Sequence, residues 1–251
     1  MKAFDEREVH EYQGISWSIH EEKSALPAGM KLGQPKRLDD GRSFRLAKAG
    51  AVALAAGKLV GSPLDFTERE NTITVAAAIG ATQVTYTAVG TLVANQFADG
   101  FLVVADHTGK GLQYKIASHP AIAAAATGII TLADPIVTAL DLTSDVILLP
   151  SLFTGLILNP DVVLKTVGVP PIPVTALYYF WVQTWGTAPI LCGDSLGNAA
   201  TERVIYPATS TGEVLATAGG IAGTEPVGVM IADSSDVVDT EYFPFFLQLF
   251  P

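Results

Sequence analysis

The chain has a single cysteine, Cys192, in 251 residues. No internal disulfide can form, so the fold is not a disulfide scaffold. Charge is scarce as well. Asp, Glu, Lys and Arg make up 16% of the sequence, against roughly a quarter in ordinary soluble proteins. Basic residues are the scarcer sign, 15 against 25 acidic, for a net charge of −10. That balance argues against a nucleic-acid binder, which needs a Lys/Arg footprint on the phosphates. Long apolar runs are missing too. The longest, AIAAAATGIITLA (121–133), is alanine-rich, contains glycine and threonine, and falls short of the roughly 20 residues that span a bilayer. The opening MKAFDEREVHEYQG carries no apolar core, so no signal peptide is visible. A soluble protein made in a reducing cytoplasm, with no membrane and no nucleic-acid partner, is the expectation.

Residues with catalytic habits are equally thin. His10, His20, His107 and His119 are scattered and show no metal-ligand spacing. Cys192, in ILCGD, reads as a small half-buried strand residue. HTGKG (107–111) departs from a phosphate loop because Gly111 stands where Ser or Thr is needed and no helix follows; Gly109 makes it a hairpin turn. The glycine loop ATAGGIAGTEP (216–226) lacks a βαβ setting. The pairs Asp39-Asp40 and Asp233…Asp236 lack the ligand spacing of a calcium loop. No enzyme activity, cofactor or metal is expected.

What is present is β-pattern. TITVAAA (72–78), TQVTYTAV (82–89), GFLVVAD (100–106), LQYKIA (112–117), GIITLA (128–133) and VILLP (146–150) are β-branched runs punctuated by glycine. Turns recur at about ten-residue spacing, the rhythm of a sandwich or barrel. A second series, from TALYYFWVQTWG (175–186) to YFPFFLQLF (242–250), suggests a small barrel. The fold class is therefore all-β. An extended N-terminal arm is expected over 1–48, a β-sandwich or barrel over 49–165, a proline-rich linker over 166–173 and a small barrel over 174–251.

The arm differs from the rest in charge. Residues 1–50 hold nine Lys/Arg and eight Asp/Glu, whereas the remainder holds six and seventeen. In GISWSIH, Ile15, Trp17 and Ile19 share one face of a short extended stretch. Along the strand at 176–186, Phe180 and Val182 fall on one face, and Tyr179, Trp181 and Trp185 on the other. A strand with large aromatics on both faces is covered on both sides, and Trp and Tyr favour interfaces.

The strings DGRSFRLAKAGAVALAAGKL (40–59), NQFADGFLVVADHTGKGLQYKIASHPA (95–121) and GVPPIPVTALYYFWVQTWG (168–186) resemble an uncharacterised family of tailed-bacteriophage structural proteins found near the major capsid protein. The resemblance implies a decoration, or cement, protein on the outer surface of the virion. It would bind the major capsid protein as a homo-oligomer, with a trimer favoured. Lys36, Arg37, Arg42 and Arg45 would pair with an acidic capsid surface while Trp17 and Phe44 anchor, and Tyr179, Trp181 and Trp185 would meet protein. The alternative is a tail or fibre module that binds host polysaccharide on a Trp181/Trp185 platform. An isolated soluble β-protein and a hydrolase with a dispersed carboxylate pair stay open beside these.

Overall fold

The β-branched runs of the middle of the chain form a nearly closed, barrel-like sheet. In the computed structural model, which describes residues 17–63, 68, 71–158, 165–193, 204–208, 212–215, 225–231 and 240–251, all regular structure is β. Two units divide the chain: Leu64–Leu152 forms one, and Met1–Pro63 with Phe153–Pro251 forms the other. The strands in chain order are β1 (Pro35–Arg37), β2 (Ser43–Lys48) and β3 (Val60–Ser62), then β4 (Asn71–Thr72), β5 (Gln83–Thr87), β6 (Phe101–Asp106), β7 (Gln113–Ser118), β8 (Thr127–Leu132) and β9 (Asp145–Leu149). They continue with β10 (Ile157–Leu158), β11 (Lys165–Gly168), β12 (Tyr179–Leu191), β13 (Val204–Pro207), β14 (Val214–Leu215), β15 (Gly228–Met230) and β16 (Tyr242–Gln248).

In the middle unit six antiparallel strands run in the order β4-β9-β6-β7-β8-β5. The sheet nearly closes, because Val75 bridges Thr85 and the Thr74 N–H donates to the Thr85 carbonyl. Alternation sends Val84, Tyr86, Leu102, Val104, Ile116, Ile130, Val146 and Leu148 inward, as a period of two requires. Gly109, at φ +85°, makes the β6–β7 turn.

The other unit is organised by β12, a strand of 13 residues. Its second half pairs with β16, and the sheet continues through β15, β13 and β14. It returns to β12 through a parallel bridge between Cys192 and Val214. A small barrel results, filled by Ala188, Ile190, Ile205, Val214, Phe245 and Leu247. The first half of β12 pairs instead with β2, which carries β1 on its far side. The change of partner falls at a bulge between Gln183 and Trp185.

This differs from the expected division in three places. Residues 17–48 are not an arm, because β2 is a sheet neighbour of β12 and Trp17 is 1% exposed. Segments 49–63 and 153–165, expected in the middle domain, belong to the unit of Met1–Pro63 and Phe153–Pro251. The proline-rich 166–173 is not a spacer either, because Val167 and Val169 are buried and Val169 bridges Gln183. Gly168 permits that approach: a β-carbon there would lie 2.2 Å from the Gln183 carbonyl oxygen. Gly168→Ala should therefore lower stability by about 2–3 kcal/mol, an overpacking cost against backbone that cannot yield. A thermal melt with an unchanged midpoint would contradict this.

Candidate partner-binding edge

The N-terminal segment, β1, β2 and the first half of β12 build one aromatic and cationic corner. Trp17, Ile19, Met30, Phe44, Leu46 and Trp181 form its apolar floor. The Trp17 and Trp181 ring centroids lie 5.5 Å apart at an interplanar angle of 55°. Two reciprocal backbone bonds, Lys23 N–H to the Tyr179 carbonyl at 2.9 Å and Tyr179 N–H to the Lys23 carbonyl at 2.8 Å, tie the segment to β12. Glu22 adds a clamp, accepting from the Thr175 N–H and hydroxyl at 2.6 Å each.

Cations ring this floor. Lys36 Nζ stands 5.4 Å from the Trp181 ring centroid and donates to the Trp17 carbonyl. Lys23 lies over Trp17 at 5.5 Å and Lys48 over Tyr179 at 5.3 Å, each a cation–π placement. Arg42 sits over Phe44 at 5.7 Å and pairs with Asp40 at 2.7 Å. The backbone N–H of Arg42, and then its guanidinium, hold the Asp40 carboxyl below its ordinary range. On the opposite face of the sheet, beside Val182, Arg45 donates to the Gly33 carbonyl at 3.2 Å and the Pro251 carbonyl at 3.0 Å. Burial first, and the neighbouring Arg37 second, lower its pKa from the ordinary value. Arg37 is exposed on β1.

Between residues 17 and 50, Lys23, Lys31, Lys36, Arg37, Arg42, Arg45 and Lys48 outnumber Glu21, Glu22, Asp39 and Asp40 in a chain of net charge −10. β1 ends the strand order of its sheet, and among the described residues no strand pairs with its outer edge. β1 is three residues long and begins with Pro35, which has no N–H to donate, so the backbone edge it presents to an incoming strand is short.

Of the residues singled out from sequence, Trp17, Lys36, Arg42, Phe44, Tyr179 and Trp181 meet in this corner, whereas Arg37 and Arg45 lie on the opposite face of the sheet, paired with Ser43 and Val182. Trp185 is not in the corner either. It lies past the bulge, edge-on to Phe246 with centroids 5.7 Å apart. The anchoring role expected of Trp17 and Phe44 is internal, since they are 1% and 0% exposed. Trp181, 3% exposed beneath Trp17, offers no ring face beside Trp185 for a sugar. Glu22, Lys23 and Lys48 were not singled out from sequence, because their partners lie far along the chain. His20 is exposed, His107 reaches Asp145 at 3.7 Å, His119 is buried in the middle barrel and Cys192 is 0% exposed. His10, Asp233, Asp236 and the 216–224 part of the glycine loop lie outside the described residues. Among the described residues no three His, Cys, Asp or Glu side chains gather as a metal site. No family model matches the chain, and neither a curated protein nor a solved structure matches it.

Proposed function

We propose that this chain is a structural protein of a tailed-phage virion, one that binds the outer surface of the assembled capsid and clamps neighbouring capsid subunits. The observation that carries this reading is the cation-rich edge of β1, with which no strand pairs among the described residues, on an otherwise acidic, all-β molecule. Such an edge suits an acidic protein surface with a strand end to pair, and the resemblance of the 40–59, 95–121 and 168–186 strings supplies the virion context. The clamp works by mass action. A protein that binds the assembled shell and not its separated subunits stabilises the shell by RT ln(1 + [L]/Kd). Arg37 supplies attraction and approach rate at the rim, and the backbone edge of β1 supplies register.

The test is co-sedimentation with shells of the encoding phage, purified without this chain. Saturable binding that weakens with added salt is expected. Arg37→Glu, an exposed change that leaves the corner's floor intact, should weaken binding by about tenfold, near 1.4 kcal/mol. Wild-type chain left in the supernatant would overturn the reading.

A further inference from the structure

One large apolar side chain is held in a backbone conformation that costs free energy and wins it no burial. Among the described residues, Asn95, Asp99, His107, Ala125, Leu177 and Thr240 have positive φ without being glycine. Asn, Asp and His tolerate that region. Leu177, at φ +67°, is the one large apolar residue of the six, and it is 57% exposed. Strain of this kind persists only where the surroundings impose it, and it collects at functional positions.

The surroundings do impose it. Leu177 lies in the turn that leads into β12, and its N–H donates to the Gly50 carbonyl at 2.9 Å. The Tyr178 N–H closes the turn on the Thr175 carbonyl at 3.1 Å. Alongside runs the turn that follows β2, with Val52 at 65% exposure. The two turns are joined at both ends. The Ala49 N–H donates to the Tyr178 carbonyl at 2.9 Å, and Leu54 and Val174 exchange bonds of 2.8 and 2.9 Å. Residues 49–57 and 166–193 contain no Asp, Glu, Lys or Arg. Three charged side chains border the pair of turns. Lys48 stands over Tyr179, and Lys23 pairs with Tyr179 through the backbone. Glu22 is the third, and its carboxylate is taken up by the Thr175 N–H and hydroxyl.

We infer that Leu177 is an anchor that enters an apolar socket on a partner protein, with carboxylates on the socket's rim to meet Lys23 and Lys48. This rests on the capsid reading, whose partner is the major capsid protein, and adds to it a contact made by burial. The two lysines belong to the cationic corner, so the turns extend the same surface. A turn tied at both ends fixes the direction of one side chain, which is what a preorganised contact with a shaped pocket requires. A lipid surface is fluid and asks for no fixed direction, and at net −10 the chain is repelled by an anionic one.

Shell co-sedimentation at low and high salt tests it. Leu177→Asn supplies a residue that tolerates positive φ and removes the apolar contact. It should melt at or above the wild-type temperature and bind shells at least about tenfold more weakly. That loss should be the same at both salt concentrations, because it comes from apolar burial, whereas the loss in Arg37→Glu should shrink as salt rises. Leu177→Met keeps apolar bulk and should keep most of the binding. Val93→Asn removes another apolar side chain, 69% exposed in the middle barrel, and should bind as wild type does. A Leu177→Asn chain that binds as wild type does would overturn the anchor and leave the β1 edge standing. So would a loss matched by Val93→Asn, or one that comes with a lowered melt. Wild-type chain left in the supernatant would overturn the capsid reading and the anchor together. If that chain instead floats with phosphatidylserine vesicles and Leu177→Asn does not, the turn meets lipid and the assignment is wrong.

Discussion

Glu68→Ala should lower the stability of the middle barrel by about 3–5 kcal/mol, a large share of the 5–15 kcal/mol that holds an ordinary domain together. Glu68 is 1% exposed. Its Oε2 accepts from Tyr86 OH at 2.8 Å and from the Val89 N–H at 2.9 Å, and its Oε1 accepts from the Gly90 N–H at 2.7 Å. Tyr86 is 0% exposed, and burial first, with the Glu68 hydrogen bond second, pushes its hydroxyl well above the ordinary phenol range. Truncation strands three donors at once, and an unpaired buried donor costs about 1–3 kcal/mol. The Val89 and Gly90 amides are only partly buried and recover some hydration, so the total stays below three full penalties. Glu68→Gln separates hydrogen bonding from space filling. Its carbonyl oxygen can keep the two donors that share Oε2, but its amide group then faces the Gly90 N–H, donor against donor. A loss of about 1–3 kcal/mol is expected. Urea unfolding, with hydrogen exchange of peptides covering Val84–Gly90, measures both. An alanine variant within about 1 kcal/mol of wild type would show the carboxylate to be dispensable.

The barrel itself was legible because its signals are local. FLVVAD and QYKIAS alternate inward and outward with period two, and Gly109 sits where the hairpin needs positive φ. The two-sided loading of β12 was legible for the same reason: Phe180 and Val182 enter one cluster, Trp181 the other. The cover on its second face was not, since it comes from Trp17, more than 160 residues earlier. Pairing between distant segments leaves no periodicity at either end, and it must be bought with loop-closure entropy that no window of sequence displays. Trp17 and Ile19 looked like isolated anchors among charges, so the segment read as an arm. Pro170, Pro171 and Pro173 looked like a spacer because proline cannot donate to a ladder, but the ladder contact is made by the adjacent Val169. Glu68 was hidden for a related reason: a carboxylate in a charged stretch, TERE, reads as solvated until its donors are known.

Trp17→Ala should remove about 3–5 kcal/mol, the usual range for emptying a buried tryptophan site, and it should do so locally. Trp17 is 1% exposed and packs on Trp181; its carbonyl receives Lys36, and its Nε1–H donates to the Glu21 carbonyl at 3.2 Å. Without the ring, the segment's hold on the sheet falls to Ile19, Met30, the Lys23–Tyr179 bonds and the Glu22–Thr175 clamp. Amides of residues 17–34 should exchange faster while those of the small barrel around Ile190 and Phe245 keep their protection. Trp181 should become solvated and its emission should shift to the red, over a half-buried Trp185 that is unaffected. An unshifted spectrum with unchanged exchange would mean that Trp17 does not hold the segment. The same packing changes how the capsid reading must be tested. Deleting residues 1–40 removes Trp17, Met30 and all of β1, uncovers Phe44 and Trp181, and leaves an apolar sheet face open to aggregation. Lost shell binding in that deletion would therefore report a damaged sheet. Arg37→Glu touches the rim alone, so a loss in that variant with Trp17 emission and exchange intact isolates the edge as the binding element.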